Sequence, residues 1–150
     1  MASLQGISYK VVKNGPMLET TSALVTTNTG VAQDIYGKSS KRQVTVLSSE
    51  QWQLACDQLD ATLPWTVRRA NLLIEGMQFD ASHKGKILKI GELELLITGE
   101  TDPCHKMEAA HAGLEAALKP DWRGGVTCRV LTDAHINISD RVYLTDPQEL

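Results

Sequence analysis

The segment Gly85–Met107, GKILKIGELELLITGETDPCHKM, changes character midway. Ile87–Ile90 and Leu93–Ile97 are apolar runs with alternating polar positions, and Gly91-Glu92 between them has the composition of a tight turn, so the first half predicts a β-hairpin. After Thr101 the period changes. Met107, Ala110, Leu114, Ala117 and Leu118 recur at helical spacing until Pro120, which predicts one amphipathic helix of about four turns. Asp102 suits its N-cap, and Pro103 suits the first helical position, where the missing N–H costs nothing.

Strand signals dominate on both sides of this segment. Toward the N-terminus, RRANLLIEG (Arg68–Gly76) reads as a strand with a basic start, and QVTVL (Gln43–Leu47) as a half-buried strand. Ser48 and Gln51 form a capping-box pattern opening a helix that carries Trp52, Ala55, Cys56 and Leu59 on one face. Ile7–Lys13 and Thr21–Thr27 flank the turn NGPM as an opening strand pair, and residues 28–42, NTGVAQDIYGKSSKR, read as a long exposed loop ending in Lys38, Lys41 and Arg42. Toward the C-terminus, DWRGG is a loop, and VTCRVL, HINIS and RVYL are short strands. About eight strands and two helices predict a mainly β fold, a closed or nearly closed β-barrel with a few inserted helices, because closure removes exposed edges. An α+β sandwich is the alternative.

The chain has 150 residues, enough for a single domain over 1–150 with one compact core. Its net charge of −3 gives no global basic field, which argues against nucleic acid or an anionic membrane as partner. No apolar run approaches the ~20 residues of a membrane-spanning helix. The three cysteines lie outside any CxxC pair, and MASLQGISYK lacks the apolar stretch of a secretory signal, so free thiols in a reducing cytoplasm are expected.

Cys56 on a helical apolar face and Cys128 within a strand read as core filler. Cys104 has two readings. It packs as a small apolar residue, or, as second residue of a helix, it meets unpartnered N–H groups that favour its thiolate, with donors from His105 and Lys106 nearby. Residue spacing leaves both open. No two histidines have the spacing of a helical metal pair, Gly37-Lys-Ser39 lacks the phosphate-loop pattern, and no GxSxG is present. The basic groups Lys38/Lys41/Arg42, Arg68/Arg69 and Arg123/Arg129 are either a solvated face or parts of an anion site.

In order along the chain, GPM, GVAQD, KRQVTVLSSEQW, RRANLLIEGM, GKILKIGELELLITGETDPCHKME, RGGVTCRVL and HINISDRV resemble the MOSC domain, the family named after the C-terminal domain of molybdenum cofactor sulfurases. The resemblance runs from about Ile7 to Val142. It implies a β-barrel that binds molybdopterin, with Cys104 as molybdenum ligand or sulfur carrier. Arg69 and Asn71 match the R-x-N motif near the pterin phosphate, Arg42 matches a basic position beside the cofactor cleft, Asp34 matches the Asp of a G-x-x-G-D segment, and Arg123 opens the R-G-G step. Two activities are implied. One is reduction of N-hydroxylated small molecules with electrons from a separate reductase; the other is sulfur carriage or cofactor delivery through a persulfide on Cys104. Pyridoxal phosphate belongs to the wider sulfurase family, but its binding domain has no counterpart here, so sulfur would come from a separate cysteine desulfurase. Gln33 and Ser139 stand where the family usually has glycine, which puts two turns in doubt.

Overall fold

A computed structural model of the protein describes residues 1–38 and 40–147. Eleven strands and three α-helices form the frame: β1 (Ser3–Tyr9), β2 (Leu18–Thr20), β3 (Ser22–Thr26), β4 (Gly30–Val31), β5 (Val44–Ser48), α1 (Ser49–Gln58), β6 (Leu72–Glu75), β7 (Ile87–Ile90), β8 (Leu93–Glu100), α2 (His105–Ala110), α3 (Leu114–Leu118), β9 (Val126–Val130), β10 (Ala134–Asn137) and β11 (Val142–Thr145). Eight strands make one curled sheet in the order β11-β7-β8-β9-β5-β6-β1-β2, and β10-β3-β4 make a second. The hairpin expected around Gly91 is β7–β8, with Ile90 opposite Leu93 and Gly91 at φ 57°.

The sheet is a half-barrel and remains open, which corrects the closed-barrel expectation. Thr21–Thr27 was expected to pair with the first strand, but the residues that do so are the three of β2, Leu18–Thr20, which precede it. The chain then leaves as β3 to pair with β10 and β4, so β2 is left as an edge with no strand to carry the ladder round to β11. Curling nevertheless brings the chain before β11 against the start of β1, through the Ser3–Arg141 bridge and the bond from Leu4 N to Asp140 O at 2.9 Å. Register shifts at Leu4/Gly6 in β1 and Ile97/Gly99 in β8 supply the extra twist that such curvature needs.

Two cores result. Leu4, Ile7, Val25, Val46, Leu72, Leu95, Ile97, Cys128 and Ile136 pack inside the curl. Leu47 and Leu73 project from the opposite face of β5 and β6 onto Trp52, Cys56, Met107, Leu114 and Leu118. This parallel pair is covered on both faces, as parallel strands usually are. Cys56 and Cys128 are both buried, and burial pushes the Cys128 thiol well above its ordinary range, so both are inert filler as expected.

The Ser48 N-cap is formed, its Oγ accepting from Gln51 N. The Gln51 side chain does not return to Ser48; it reaches the backbone of Phe79 and Asp121 instead. The single helix expected after Asp102 is broken into α2 and α3. His111 is extended and Gly113 has φ 87°, a left-handed conformation that an α-helix cannot include. A side chain at Gly113 would also meet Leu59 Cδ2 at 2.9 Å, so this turn is where the helical pair seats against the end of α1. Met107, Leu114, Ala117 and Leu118 still face the core, but Ala110, expected on the same face, is exposed beside the break, so the helical period marked four of its five positions. No helix among the described residues is long and apolar enough to cross a membrane.

Candidate functional site

One end of the large sheet opens into a cleft of about 940 Å³. Its walls come from segments distant in sequence: Lys10 after β1, Tyr36 and Arg42 in the long loop, Arg68 and Arg69 before β6, Thr101–Cys104 after β8, and Lys106 on α2. β1 and β8 end here, and β5 and β6 begin here, so the sheet topology itself gathers these residues.

Cys104 lies at this cleft, free and exposed, with Pro103 buried beside it. It is the N-cap of α2 (φ −132°, ψ −177°), so the helix starts two positions later than expected, and the Cys104 side chain makes no capping bond. Asp102 is therefore not the cap, and α2 has only six residues. What faces the thiol across the cleft is a set of cations.

Arg68 is the most constrained of these. It is 6% exposed, and its guanidinium donates to three backbone carbonyls: Gly124 (Nε, 3.2 Å), Thr101 (Nη2, 2.9 Å) and Asp102 (Nη2, 3.5 Å). Burial lowers its pKa from the ordinary value, Cys104 opposes the shift, and Arg69 and Arg42 add to it. Sequence reasoning left the Arg68/Arg69 pair open between a solvated face and part of an anion site; the carbonyls that hold Arg68 lie 33 and 56 positions away, so no local pattern marks its burial. Lys10 was also missed. Its ammonium lines the cleft, and burial lowers its pKa, with Arg69 and Lys106 adding to the effect and Asp34 opposing. The ion pairs among the described residues are Lys86–Asp146 and Lys119–Glu115, so none of the cleft cations has a carboxylate within 4.0 Å.

Arg42 and Arg69 both line the cleft, and the Arg69 guanidinium stacks 4.4 Å from the Tyr36 ring centroid. Asn71 and Asp34 lie deeper, in a small adjoining recess. Asn71 Nδ2 donates to Asp34 Oδ2 at 2.6 Å and Ser8 O at 3.2 Å, and Asn71 Oδ1 accepts from Thr45 N at 3.1 Å. Asp34 Oδ1 accepts from Tyr36 N at 2.7 Å. These two side chains hold the loop that presents Tyr36, and through it they orient Arg69.

Arg123 does not reach the cleft. Its Nη1 donates to Gln58 Oε1 at 2.8 Å and Ala117 O at 3.1 Å, tying the end of α1 to α3. The cofactor contact implied for Arg123 is thus not made possible by this geometry. The following glycine has the connection instead: Gly124 O accepts from Arg68, and a Cβ on Gly124 would lie 2.4 Å from Thr101 O.

The sequence profile of the MOSC domain matches residues 32–143. The chain belongs to the MOSC domain family. Its structure is similar to the YuaD protein of Bacillus subtilis (TM-score 0.81, 14% identity, covering 99% of this chain and 98% of that one). It is also similar to YiiM from Geobacillus stearothermophilus (TM-score 0.74, 15% identity, 97% and 76% covered) and to YiiM from Escherichia coli (0.71, 13%, 97% and 71%). Likeness at these identities is likeness of fold. No curated protein matches the sequence. The MOSC fold explains why the sheet ends converge on one cleft. The Ser139 turn keeps the left-handed backbone of a glycine, at φ 81°, whereas Gln33 has no positive φ, so only one of the two family departures carries strain.

Proposed function

We propose that this MOSC domain binds molybdenum cofactor in the cleft, with Cys104 as thiolate ligand to molybdenum, and that it reduces N-hydroxylated small molecules with electrons from a separate reductase. One observation carries the reading: an exposed thiol shares its cleft with Lys10, Arg42, Arg68, Arg69 and Lys106, none ion-paired among the described residues. The donor chemistry fits the group. Arg42 and Arg69 present guanidinium edges suited to a phosphate, and a soft thiolate suits molybdenum. The volume lies within the range of cofactor sites. When bound, the cofactor supplies the two-electron redox chemistry.

The chain's own residues then have separate tasks. Arg42, Arg69 and Lys106 hold negative charge at the cleft walls, and Tyr36 keeps the Arg69 plane in one orientation. Asp34 and Asn71 hold the Tyr36 loop beside the recess that Arg42 and Arg69 share with the cleft. Arg68 fixes the backbone just before Cys104. Metal analysis of protein purified from a cofactor-producing host tests the reading: molybdenum near one per chain in wild type and lost in Cys104→Ser supports it, and no molybdenum in either sinks it.

A second reading has its own observation. The Cys104 side chain makes no hydrogen bond among the described residues and stands at the surface, accessible to a macromolecular sulfur donor. On this reading Cys104 carries a persulfide received from a partner such as a cysteine desulfurase. Cyanolysable sulfur on wild type, absent in Cys104→Ser, is its signature.

A further inference from the structure

Arg68 has a hydrogen-bonding edge that the fold leaves unused. Nε and Nη2 are bonded to carbonyls, but Nη1 has no partner among the described residues, nor is it one of the fully buried orphaned atoms. The small exposed part of this 6%-exposed side chain therefore includes Nη1, and Arg68 lines the same cleft as Cys104. A guanidinium that stays charged while buried against neutral carbonyls, with no carboxylate within 4.0 Å among the described residues and only the more distant Asp102 opposing its field, is a cation with N–H donors to spare. Lys10, Arg42, Arg69 and Lys106 reinforce its sign from four other positions. The reactive atom beside this field is the Cys104 sulfur.

We propose that Cys104 takes sulfur directly from a small oxyanionic sulfane donor, with Arg68 Nη1 and the flanking cations binding the oxyanion end. This rests on the sulfur-carrier reading and adds the donor's chemical class. With thiosulfate as the simplest case, the Cys104 thiolate attacks the outer sulfur and forms a new S–S bond. The S–S bond of thiosulfate breaks, and its electron pair leaves on sulfite. Thiolate plus dianion becomes persulfide anion plus dianion, so charge and electrons balance and no further oxidant or reductant is needed. The charge that builds on the leaving sulfite is what a guanidinium with free donors stabilises. Any later acceptor of the persulfide sulfur regenerates the thiolate.

The test uses the full chain, incubated with thiosulfate and followed by sulfite release and by intact mass. A gain of one sulfur atom per chain, mapped to Cys104 and absent in Cys104→Ser, supports the proposal. Because Arg68 variants risk misfolding, the charge dependence is read on the exposed residues: Arg42→Ala and Lys106→Ala should each slow loading by about threefold or more, and added salt should slow the wild type. The ratio of Cys104 alkylation by iodoacetate to that by iodoacetamide should fall in the same variants, whatever the thiolate fraction. If a cysteine desulfurase with cysteine loads Cys104 but thiosulfate does not, the donor assignment is overturned and the carrier reading survives. If neither loads it, both fall. Loading by thiosulfate that is indifferent to salt and to both variants overturns the role given to the cations.

Discussion

Asn71 Nδ2 donates to Asp34 Oδ2 across 2.6 Å, while the same side chain holds Ser8 O and Thr45 N. One amide thus joins β1, β5 and β6 to the loop carrying Tyr36. Asn71→Ala leaves a buried N–H and carbonyl without this partner and should cost about 2–4 kcal/mol, read by chemical denaturation. Asn71→Asp is the sharper test, because it sets a second carboxylate against Asp34. Two adjacent carboxylates raise one pKa, so the stability deficit of Asn71→Asp should shrink as pH falls and one of them is protonated. A deficit independent of pH would mean that the Asp34 contact is not made.

Lys10 predicts an alkaline limb. Burial, then Arg69 and Lys106, hold its pKa below 10.5, against the pull of Asp34. The protonated form attracts anions. Affinity of the cleft for inorganic phosphate, measured by calorimetry from about pH 7 to 10, should therefore fall at lower pH than an ordinary lysine near ~10.4 would produce. Lys10→Met should bind more weakly at neutral pH and lose that limb. The stability linkage has the matching sign: between the depressed folded pKa and 10.5 the unfolded chain binds more protons, so stability rises with pH in that window, and Lys10→Met abolishes the rise.

Ser139 occupies φ 81° with its N–H bonded to Leu4 O at 2.8 Å, so this turn is held where a Cβ is unfavourable. Ser139→Gly should stabilise the fold by about 0.5–1 kcal/mol, the relief of left-handed strain less the greater flexibility of the unfolded chain. In a thermal melt this is an upward shift of roughly 1–4 °C for a chain of this size. Gln33→Gly, at a position with no positive φ, should give no such gain.

How much of this was legible beforehand follows from how local each cause is. The β7–β8 hairpin was readable because period-two runs and Gly91 lie within a dozen positions, and the Ser48 cap because cap and helix are adjacent. The α2–α3 break was hidden because Gly113 leaves Leu114, Ala117 and Leu118 in phase with the core face. The open barrel depended on β3 leaving the sheet, a choice made by pairing with β10 more than a hundred positions away. Cys104 and the R-x-N arginine were visible through the family resemblance, and both lie at the cleft. Asn71 and Asp34 match ligand residues by motif, and what no motif shows is that they also bond within the fold, to each other and to the Tyr36 backbone. Lys10 was invisible as a site residue, and Arg68 was readable only as one of several basic pairs, because only tertiary packing brings them beside Cys104.

The final prediction joins the R-G-G step to the cysteine loop. A Cβ on Gly124 would sit 2.4 Å from Thr101 O and 3.3 Å from Arg68 Nη2, so Gly124→Ala must push the segment between β8 and α2 away and disturb the bonds that Arg68 makes to it. Overpacking of this kind costs about 1–3 kcal/mol. Gly85→Ala is the control: its φ of 89° carries strain, but an added Cβ there meets nothing within 4 Å. Both variants should lose stability, but only Gly124→Ala should change the rate at which iodoacetamide modifies Cys104, since only that displacement reaches the residues preceding the thiol. Equal Cys104 reactivity in the two variants would show that the Arg68 staple does not govern the position of the cysteine.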